Sequence, residues 1–366
     1  MKVKLSDVCE RGSSNLKQSD VIDKNGDYPI YGASGYIGNV DFFHQEKKYV
    51  AVVKDGAGIG RTMLLPAKSS VIGTMQYLLP KDNVLAEYLY YVVKYMRLEK
   101  YFTGATIPHI YFKDYKNEEF NCVPIEKQLK IVESLKKVER IISNRNQQLA
   151  KLDELVKARF VEMFGDSEFN TMQWPTKKLS ELCDVGSSKR VYQNEQSADG
   201  IPFLRISDLN ERIDNIEIIP ELFISTNKYN ELKENGLVPA VGDILVTSRG
   251  TLGRCYIVRA KDEFYFQDGM ISWLSNLNNQ ITNLYLSQLF SMAGIQKQIA
   301  SLQAGSTVAY LSISMLKKLD IMLPPLDLQT EFATFVEQVD KSKVAVQKAL
   351  DESQTLFDSL MQQYFG

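Results

Sequence analysis

The sequence predicts an α+β fold in which two tandem globular α/β domains are each followed by a long helix. The two helices are expected to form an antiparallel coiled coil that relates the two copies by a pseudo-two-fold axis. Three observations support this prediction: short phrases recur in the same order, short apolar runs alternate with glycine-rich turns, and each copy ends in an uninterrupted heptad pattern.

The internal repeat is clearest where T-G-A-T-I-P-H-I, residues 103–110, returns as A-G-S-T-V-A-Y-L, residues 304–311. The two copies of this phrase lie 201 residues apart. The same offset carries V-P-I-E-K-Q (123–128) onto P-P-L-D-L-Q (324–329) and M-F-G (163–165) onto Y-F-G (364–366). Upstream, K-L-S-D-V-C-E-R-G-S-S (4–14) matches K-L-S-E-L-C-D-V-G-S-S (178–188). The chain is therefore a tandem duplication with variable segments between fixed ones.

Short apolar runs in the first part of each copy predict the strands of a β-rich, mixed domain. Glycine-rich turns separate these runs, as strand boundaries require. The predicted strands are Tyr49–Val53, Thr62–Leu65, Ile244–Thr247 and Cys255–Val258.

The last part of each copy predicts a long helix, because no Pro or Gly interrupts residues 126–164 and apolar positions alternate spacings of three and four. A helix of roughly 38 residues is about 57 Å long, more than a small domain is wide. Two such helices can bury their apolar seams against each other. The predicted seam comprises Leu135, Val138, Ile142, Leu149, Leu152, Val156, Val336, Val339, Leu350, Phe357 and Leu360.

These patterns divide the chain into four segments. The first globular domain spans residues 1–124 and its helix 125–165, and the second domain spans 166–323 and its helix 324–366. Arg145 and Arg159 occupy two seam positions of the first helix. They either fix the register of the coiled coil or serve as a docking point for another subunit.

Composition excludes several functional classes. The net charge of −2 argues against a uniformly basic surface, although one basic face remains compatible with it. The two histidines make a His-rich metal site or a His-based triad a poor expectation, and the four cysteines form no C-x-x-C pair. Without a membrane-spanning run or a signal peptide, the chain is expected in a reducing cytoplasm.

The stretch D-G-A-G-I-G, residues 55–60, follows a predicted strand and could be taken for a nucleotide-binding turn. The residues after it, R-T-M-L-L-P, predict a second strand rather than the helix such a site needs. We therefore predict a hairpin that presents Arg61, with Arg254 as its counterpart. An ungapped alignment of the copies places Arg249 where the first has Gly56. The sequence contains no P-loop, no H-E-x-x-H motif and no Asn/Asp-Pro-Pro-aromatic signature of DNA amino-methyltransferases. No catalytic function is therefore predicted.

Two further sets of residues have competing interpretations. Cys9 and Cys183 occupy matching places in L-x-x-[VL]-C, which is typical of small core residues rather than nucleophiles, and Gly12 and Gly186 are then predicted to be helix C-caps. His109 stands where the repeat has Tyr310. The exchange indicates either a hydrogen-bonding or stacking contact or a half-buried packing residue.

Taken in order, these blocks resemble the specificity subunit of type I restriction–modification systems. The resemblance rests on the duplicated K-L-S-[DE]-[VL]-C opening, the two phrases at 103–110 and 304–311, the P-[IL]-[ED]-x-Q entry into a long helix, and the M-F-G and Y-F-G endings. It covers essentially the whole chain.

The resemblance implies a non-catalytic, DNA-reading subunit. Each globular region would be a target-recognition domain that reads one half of a split, asymmetric site in double-stranded DNA, and the helices would fix the gap. The helices would also dock two adenine-N6 methyltransferase subunits, which a motor–nuclease restriction subunit joins. No metal or cofactor is expected here, because S-adenosylmethionine would be bound by the methyltransferase.

The expected DNA contacts are polar and basic side chains on turns, since such groups bind base edges and phosphates. Thr106 and Thr307 have an alternative role at the domain–helix junction, and Arg61 and Arg254 suit phosphate better than a base. The expected contacts are Ser34, Tyr36, Lys54, Arg61, Thr106 and His109 in the first domain, and Ser188, Lys189, Arg190, Arg205, Arg249, Arg254, Thr307 and Tyr310 in the second.

Two other functional classes were weighed against this one. A coiled-coil scaffold whose end domains bind proteins would need no salt-dependent affinity for DNA. An enzyme using the D-G-A-G-I-G turn would bind a nucleotide and lose it when Gly58 is substituted.

Overall fold

The computed structural model describes residues 1–21, 24–104, 108–214, 216, 219–303 and 309–366. The chain divides into two compact units. Unit 1 contains Met1–Gln148 and Val346–Gly366, and unit 2 contains Leu149–Ala345. Each unit thus combines one globular domain with half of each long helix. The boundaries inferred from the sequence follow the chain rather than these units and remain a prediction.

Unit 1 contains a four-stranded sheet, a three-stranded sheet and a two-stranded ladder. Its strands are β1 (Lys2–Lys4), β2 (Cys9–Ser13), β3 (Tyr28–Gly32), β4 (Gly35–Val40), β5 (Tyr49–Val53), β6 (Thr62–Leu65), β7 (Ser70–Val71), β8 (Met75–Pro80) and β9 (Glu119–Asn121). Its helices are α1 (Leu5–Val8), α2 (Ala86–Met96), α3 (Phe112–Tyr115) and the first part of α4 (Ile125–Phe164). The sheet orders are β2-β8-β5-β6, β4-β3-β7 and β1-β9.

Unit 2 repeats this plan with larger insertions. Its strands are β10 (Thr176–Lys178), β11 (Asp184–Gly186), β12 (Gln196–Ser197), β13 (Ile201–Leu204), β14 (Phe223–Ile224), β15 (Ile244–Thr247), β16 (Cys255–Ile257), β17 (Tyr265–Phe266), β18 (Ile271–Ser275) and β19 (Asp320–Met322). Its helices are α5 (Ile206–Ile213), α6 (Thr226–Glu234), α7 (Asn283–Phe290), α8 (Ala293–Leu302), α9 (Ile313–Leu316) and the first part of α10 (Leu326–Phe365).

The sheets confirm the duplication. The order β11-β18-β15-β16 in unit 2 repeats β2-β8-β5-β6 in unit 1, and β10-β19 repeats β1-β9. The predicted strands at 49–53, 62–65 and 244–247 are confirmed, and the fourth ends one residue early at Ile257. The third sheet differs most, because unit 2 inserts α5 and α6 beside it.

Halves of the two long helices pack together in each unit and run antiparallel. In unit 1, an early part of α4 shares a core with the end of α10; in unit 2, the end of α4 shares a core with the start of α10. The contributing residues are Val132, Leu135, Val138, Phe357, Met361 and Phe365 in unit 1, and Val156, Phe160, Phe164, Phe332, Val336 and Val339 in unit 2. The predicted fold class is confirmed.

The seam predicted from heptads is buried most deeply toward the helix ends. Toward the ends, the seam side chains also join the core of a globular domain. Leu135, Val138, Val156, Val336, Val339 and Phe357 are buried, and Ile142, Leu149, Leu152, Leu350 and Leu360 are half-buried. The sequence prediction missed the aromatic residues that face the domains, Phe160, Phe164, Phe332 and Phe365.

The cations within the seam are paired in the helix bundle. The Arg159 guanidinium lies 3.0 Å from Glu162 and 2.9 Å from Glu331 on the other helix. Arg145 donates to Gln148 Oε1 at 3.2 Å. The contacts of Arg159 favour the interpretation that it fixes helix register.

A buried glutamine joins each domain to its long helix. Gln128 accepts a hydrogen bond from Leu85 N–H at 2.9 Å and donates to the carbonyls of Asn83 and Val123 at 2.9 and 2.8 Å. Both Gln128 and Gln329 are 0% exposed. The single Gln in the repeated P-[IL]-[ED]-x-Q motif therefore anchors the N-terminus of the neighbouring domain helix to the start of the long one.

Gln329 makes the equivalent set of bonds in unit 2. It accepts from Thr282 N–H at 2.9 Å and donates to the carbonyls of Gln280 and Pro324, each at 3.0 Å. Thr282 is the N-cap of α7, just as Leu85 is the N-cap of α2. The two units thus share the same polar anchor.

The cysteine prediction is confirmed, whereas the glycine prediction is wrong. Cys9 and Cys183 are buried, each thiol faces the carbonyl four residues earlier, and burial raises the pKa of both to about 12. Gly12 lies within β2 and Gly186 is the last residue of β11, so neither is at a helix end. A side chain at Gly12 would meet Tyr77 Cβ at 3.1 Å, so the glycine makes room for a tyrosine on the adjacent strand.

Candidate nucleic-acid interface

The D-G-A-G-I-G stretch forms the tight turn between β5 and β6. Gly60 N–H donates to Val53 O at 2.9 Å, and both Gly56 and Gly60 have positive φ, at 92° and 80°. A Cβ on Gly60 would lie 2.6 Å from Glu99 N, so no other residue fits there. The predicted hairpin is confirmed, and residues 54–60 are called hairpin turn 1.

The repeated phrase runs alongside this turn. Ile110 N–H donates to Lys54 O at 2.9 Å, and Gly56 N–H donates to Pro108 O at 3.0 Å. Thr103 and His109 exchange two backbone hydrogen bonds of 2.8 Å. Residues 103–110 are called loop 1, of which Thr106 and its two neighbours lie outside the described residues. These bonds bring His109 beside Asp55.

The side chains of turn and loop form a polar cluster. His109 Nδ1 lies 2.7 Å from Asp55 Oδ1, and Lys54 Nζ lies 3.3 Å from the other carboxylate oxygen. The His109 side chain is 37% exposed, and its ring is stacked on Tyr111 with centroids 6.4 Å apart. Of the two interpretations of His109, these contacts favour a hydrogen-bonding and stacking residue over a half-buried packing residue.

Unit 2 presents the same backbone arrangement with other side chains. Its hairpin turn 2, residues 248–253, joins β15 to β16, and Leu311 N–H donates to Ser248 O at 3.0 Å. Arg249 forms a backbone bridge with Tyr310, and its guanidinium lies 5.1 Å from the centre of the Tyr310 ring. Loop 2 comprises residues 304–311, and Thr307 lies outside the described residues.

The backbone contacts correct one detail of the repeat alignment. Asp55 pairs with His109 as Arg249 pairs with Tyr310, so Arg249 corresponds to Asp55 and not to Gly56. Gly250, with φ of 69°, occupies the place of Gly56. The ungapped alignment is wrong here because hairpin turn 2 is one residue shorter.

The two arginines after the turns have different surroundings. Arg61 is exposed, and its Nη1 donates to Ala33 O at 3.0 Å. Arg254 forms an ion pair with Asp214 and donates to Asn210 Oδ1 at 2.8 Å. Arg61 therefore has donors to offer a phosphate, whereas a carboxylate already holds Arg254.

Ser34 lies in the turn between β3 and β4, and Tyr36 lies in β4. Ser34 is exposed, directly after Ala33. Tyr36 is 60% exposed and donates its hydroxyl to Asn39 Oδ1 at 3.1 Å. The bond from Arg61 to Ala33 O thus brings Arg61 beside Ser34, which the sequence spacing did not show.

The predicted contacts of unit 2 are more often occupied by partners within the chain. Ser188 is buried and donates to Phe266 O at 2.7 Å, so it has a packing role. Arg190 Nε lies 2.9 Å from Asp268 with its side chain 65% exposed, and Arg205 pairs with Glu221 at 2.8 Å. Lys189 has an exposed side chain.

Sequence reasoning overlooked the acidic partners of these cations. Asp55, Asp214 and Asp268 each hold a residue that was expected to contact DNA. Asp55 opens the D-G-A-G-I-G stretch directly after Lys54, so the sequence itself indicated a charged contact at this turn. Within the described ranges, no group of three or more acidic, His or Cys side chains has the arrangement of a metal site.

Comparison with known protein families identifies the family of this chain. A sequence model described as the type I restriction modification DNA specificity domain matches residues 1–154 and 172–353. The chain belongs to this family. Each of the two specificity-domain matches contains one hairpin turn and one loop.

Two curated relatives and one solved structure are similar to this chain over most of its length. A Haemophilus influenzae protein assigned to the type I restriction enzyme specificity subunits is 24% identical over 91% of this chain and 86% of its own. A Methanocaldococcus jannaschii type I specificity subunit is 24% identical over 82% of this chain and 76% of its own. The crystal structure of a type I restriction–modification system S subunit from M. genitalium has the same fold, with a TM-score of 0.61, 18% identity and coverage of 100% of this chain and 96% of its own.

The described helices do not combine the length and apolarity that crossing a bilayer requires.

Proposed function

We propose that this chain is the sequence-reading subunit of a type I restriction–modification complex, with each globular domain reading one half of a gapped site in double-stranded DNA. One observation carries the proposal: the two units hold a hairpin turn against a loop by the same backbone bonds, yet present different side chains there. A module that reads two unlike half-sites needs a constant frame with variable polar groups.

Rigid helices suit the spacing of such readers. Each unit is anchored to α4 and α10 through a buried core and a buried glutamine. Two readers that approach the same face of a duplex need half-sites about one helical turn, ~34 Å, apart. Among the contacts we propose, Arg61 and Lys189 suit phosphates because their cations are exposed.

The helices also offer equivalent surfaces to partners. Leu155 and Leu356, 201 residues apart in the repeat, are 46% and 50% exposed. Large apolar residues exposed at matching places support docking of two copies of one partner. We propose that this partner is the adenine-N6 methyltransferase subunit, that it binds S-adenosylmethionine, and that motor–nuclease subunits join the complex. This chain itself would contribute recognition rather than catalysis.

Methylation mapping tests the proposal. The chain is co-expressed with the methyltransferase subunit of its system in a methylation-free host, and modified adenines are located by sequencing. A two-part gapped motif is expected, and exchange of residues 178–320 for those of a relative should change one half only. A stable complex that leaves the DNA unmodified would instead favour a protein-binding scaffold.

A salt titration separates these two functions independently. DNA affinity of the assembled complex should fall steeply with salt, because each neutralised phosphate releases counterions. The complex with Arg61→Ala should retain the motif and show a smaller salt dependence, because one proposed phosphate contact is lost.

A further inference from the structure

Where each hairpin turn contacts its loop, the side chains of unit 1 and unit 2 differ, although the backbone around them is the same. Around them, Gly56 and Gly250 share a positive φ, and Ile110 and Leu311 are buried at 1% and 0% exposure. The junction itself holds an anion with an imidazole in unit 1 and a cation with a phenol in unit 2. The frame is kept while its exposed chemistry is replaced.

Stability does not require these particular pairs. Backbone hydrogen bonds already join each turn to its loop. The Asp55 and His109 side chains are 28% and 37% exposed, and Arg249 is exposed. Exposed ion pairs contribute little to folding, so the side chains at this junction are free to serve recognition.

We propose that these junction pairs are the base-reading positions of the two domains, with Arg249 recognising guanine and His109 recognising a base that presents an exocyclic amino group. The inference rests on the proposed function and names the bases involved. In this proposal Asp55 positions His109, and Tyr310 positions Arg249.

The Arg249 assignment follows from its stacking. The Arg249 guanidinium lies 5.1 Å from the centre of the Tyr310 ring, so the ring limits the positions that the guanidinium can take. Guanine is the base whose major-groove edge offers two acceptors, O6 and N7, at the spacing of its N–H fork. Unlike Arg254, which Asp214 holds, Arg249 has no carboxylate partner among the described residues.

The His109 assignment follows from its carboxylate partner. Asp55 accepts a hydrogen bond from Nδ1–H, which places the lone pair of the neutral ring on Nε2. Among the described residues, none hydrogen-bonds Nε2. An acceptor in the major groove pairs with the N6 amino group of adenine or the N4 amino group of cytosine.

Base identity in the methylated motif provides the test. In the co-expressed complex, Arg249→Ala should reduce selectivity for one guanine of one half-site by about tenfold or more, because both donors to guanine O6 and N7 are removed. The other half-site stays unchanged. Lys261→Ala removes an exposed cation elsewhere in unit 2 and serves as the control, with the guanine retained.

His109→Gln is the companion experiment in unit 1. It should relax selectivity at one adenine or cytosine position of the opposite half-site and leave the guanine read by Arg249 intact. Uniformly weaker methylation of an unaltered motif, for either variant, would mean a phosphate or packing role and overturn the inference. The proposed function fails separately, if the unsubstituted chain directs no two-part motif at all.

Discussion

His109 Nδ1 lies 2.7 Å from Asp55 Oδ1, and both residues enter this contact from segments that the backbone holds together. The equivalent place in unit 2 is taken by Arg249 over Tyr310. The same backbone arrangement therefore holds a carboxylate beside an imidazole in unit 1 and a guanidinium beside a phenol ring in unit 2.

The buried glutamines are expected to be essential for stability. Gln128→Ala leaves the Leu85 N–H and the carbonyls of Asn83 and Val123 without their partner. The loss should lower the free energy of unfolding by about 1–3 kcal/mol, measured by urea denaturation. Gln147→Ala, an exposed glutamine on the same helix, is the control and should change it little. Equal effects would contradict the anchoring role.

The aromatic core of unit 2 should dominate over the ion pair beside it. Phe160 packs 5.5 Å from Phe332 and 5.6 Å from Tyr285, ring centre to ring centre, so Phe160→Ala should destabilise the chain by about 3–5 kcal/mol. Arg159→Ala removes a partly exposed ion pair with Glu331 and should cost far less, because such pairs contribute little to folding. Thermal melts of both variants check the order, and a larger loss for Arg159→Ala would refute it.

Cysteine labelling gives a pH-dependent prediction. Burial raises the pKa of Cys9 and Cys183 to about 12, so both remain thiols at pH 8 and react slowly with iodoacetamide. Their thiolate fraction rises about tenfold per pH unit below that pKa. Mass spectrometry of the labelled native chain should find both unmodified, while the same chain in urea is modified at both. Rapid native labelling would disprove their burial.

The partner-docking proposal predicts a stepwise loss. Leu155→Glu and Leu356→Glu place a charge in an exposed apolar position without disturbing the core. Each single variant should bind one methyltransferase fewer than the unsubstituted chain, and the double variant none, by native mass spectrometry. Gln147→Glu adds the same charge elsewhere on α4 and should bind normally. A full complement on the double variant would move the docking surface elsewhere.

Arg61 and Arg254 should behave differently in DNA binding. Arg61→Ala is expected to reduce the slope of log affinity against log salt by about 0.9, the value for one phosphate contact. Arg254→Ala should reduce it less, because Asp214 already pairs with that guanidinium. Equal slopes for the two variants would show that Asp214 releases Arg254 on binding.

Local patterns predicted much of the fold. The absence of Pro and Gly between residues 126 and 164 was sufficient to predict a helix that runs from Ile125 to Phe164. The hairpin at D-G-A-G-I-G followed from the strand pattern on both sides of it. Such features depend on neighbouring residues in the chain, which is why a single sequence reveals them.

Other features depend on residues distant in sequence and were missed. Heptad counting identifies side chains facing the partner helix but not Phe160 or Phe332, which also face the domain. The one-residue shortening of hairpin turn 2 was hidden because the final Gly-Arg aligns without a gap. The carboxylate partners of Arg254 and Arg190 lie 40 and 78 residues away, beyond any local pattern.

The division of α4 and α10 between the units has a consequence for synthesis on the ribosome. Unit 1 draws Phe357, Met361 and Phe365 into its core, and these residues emerge only after all of Leu149–Ala345 has been translated. Until then the nascent first domain lacks the α10 side chains that pack with Val132, Leu135 and Val138. The domain translated first is thus the one completed last.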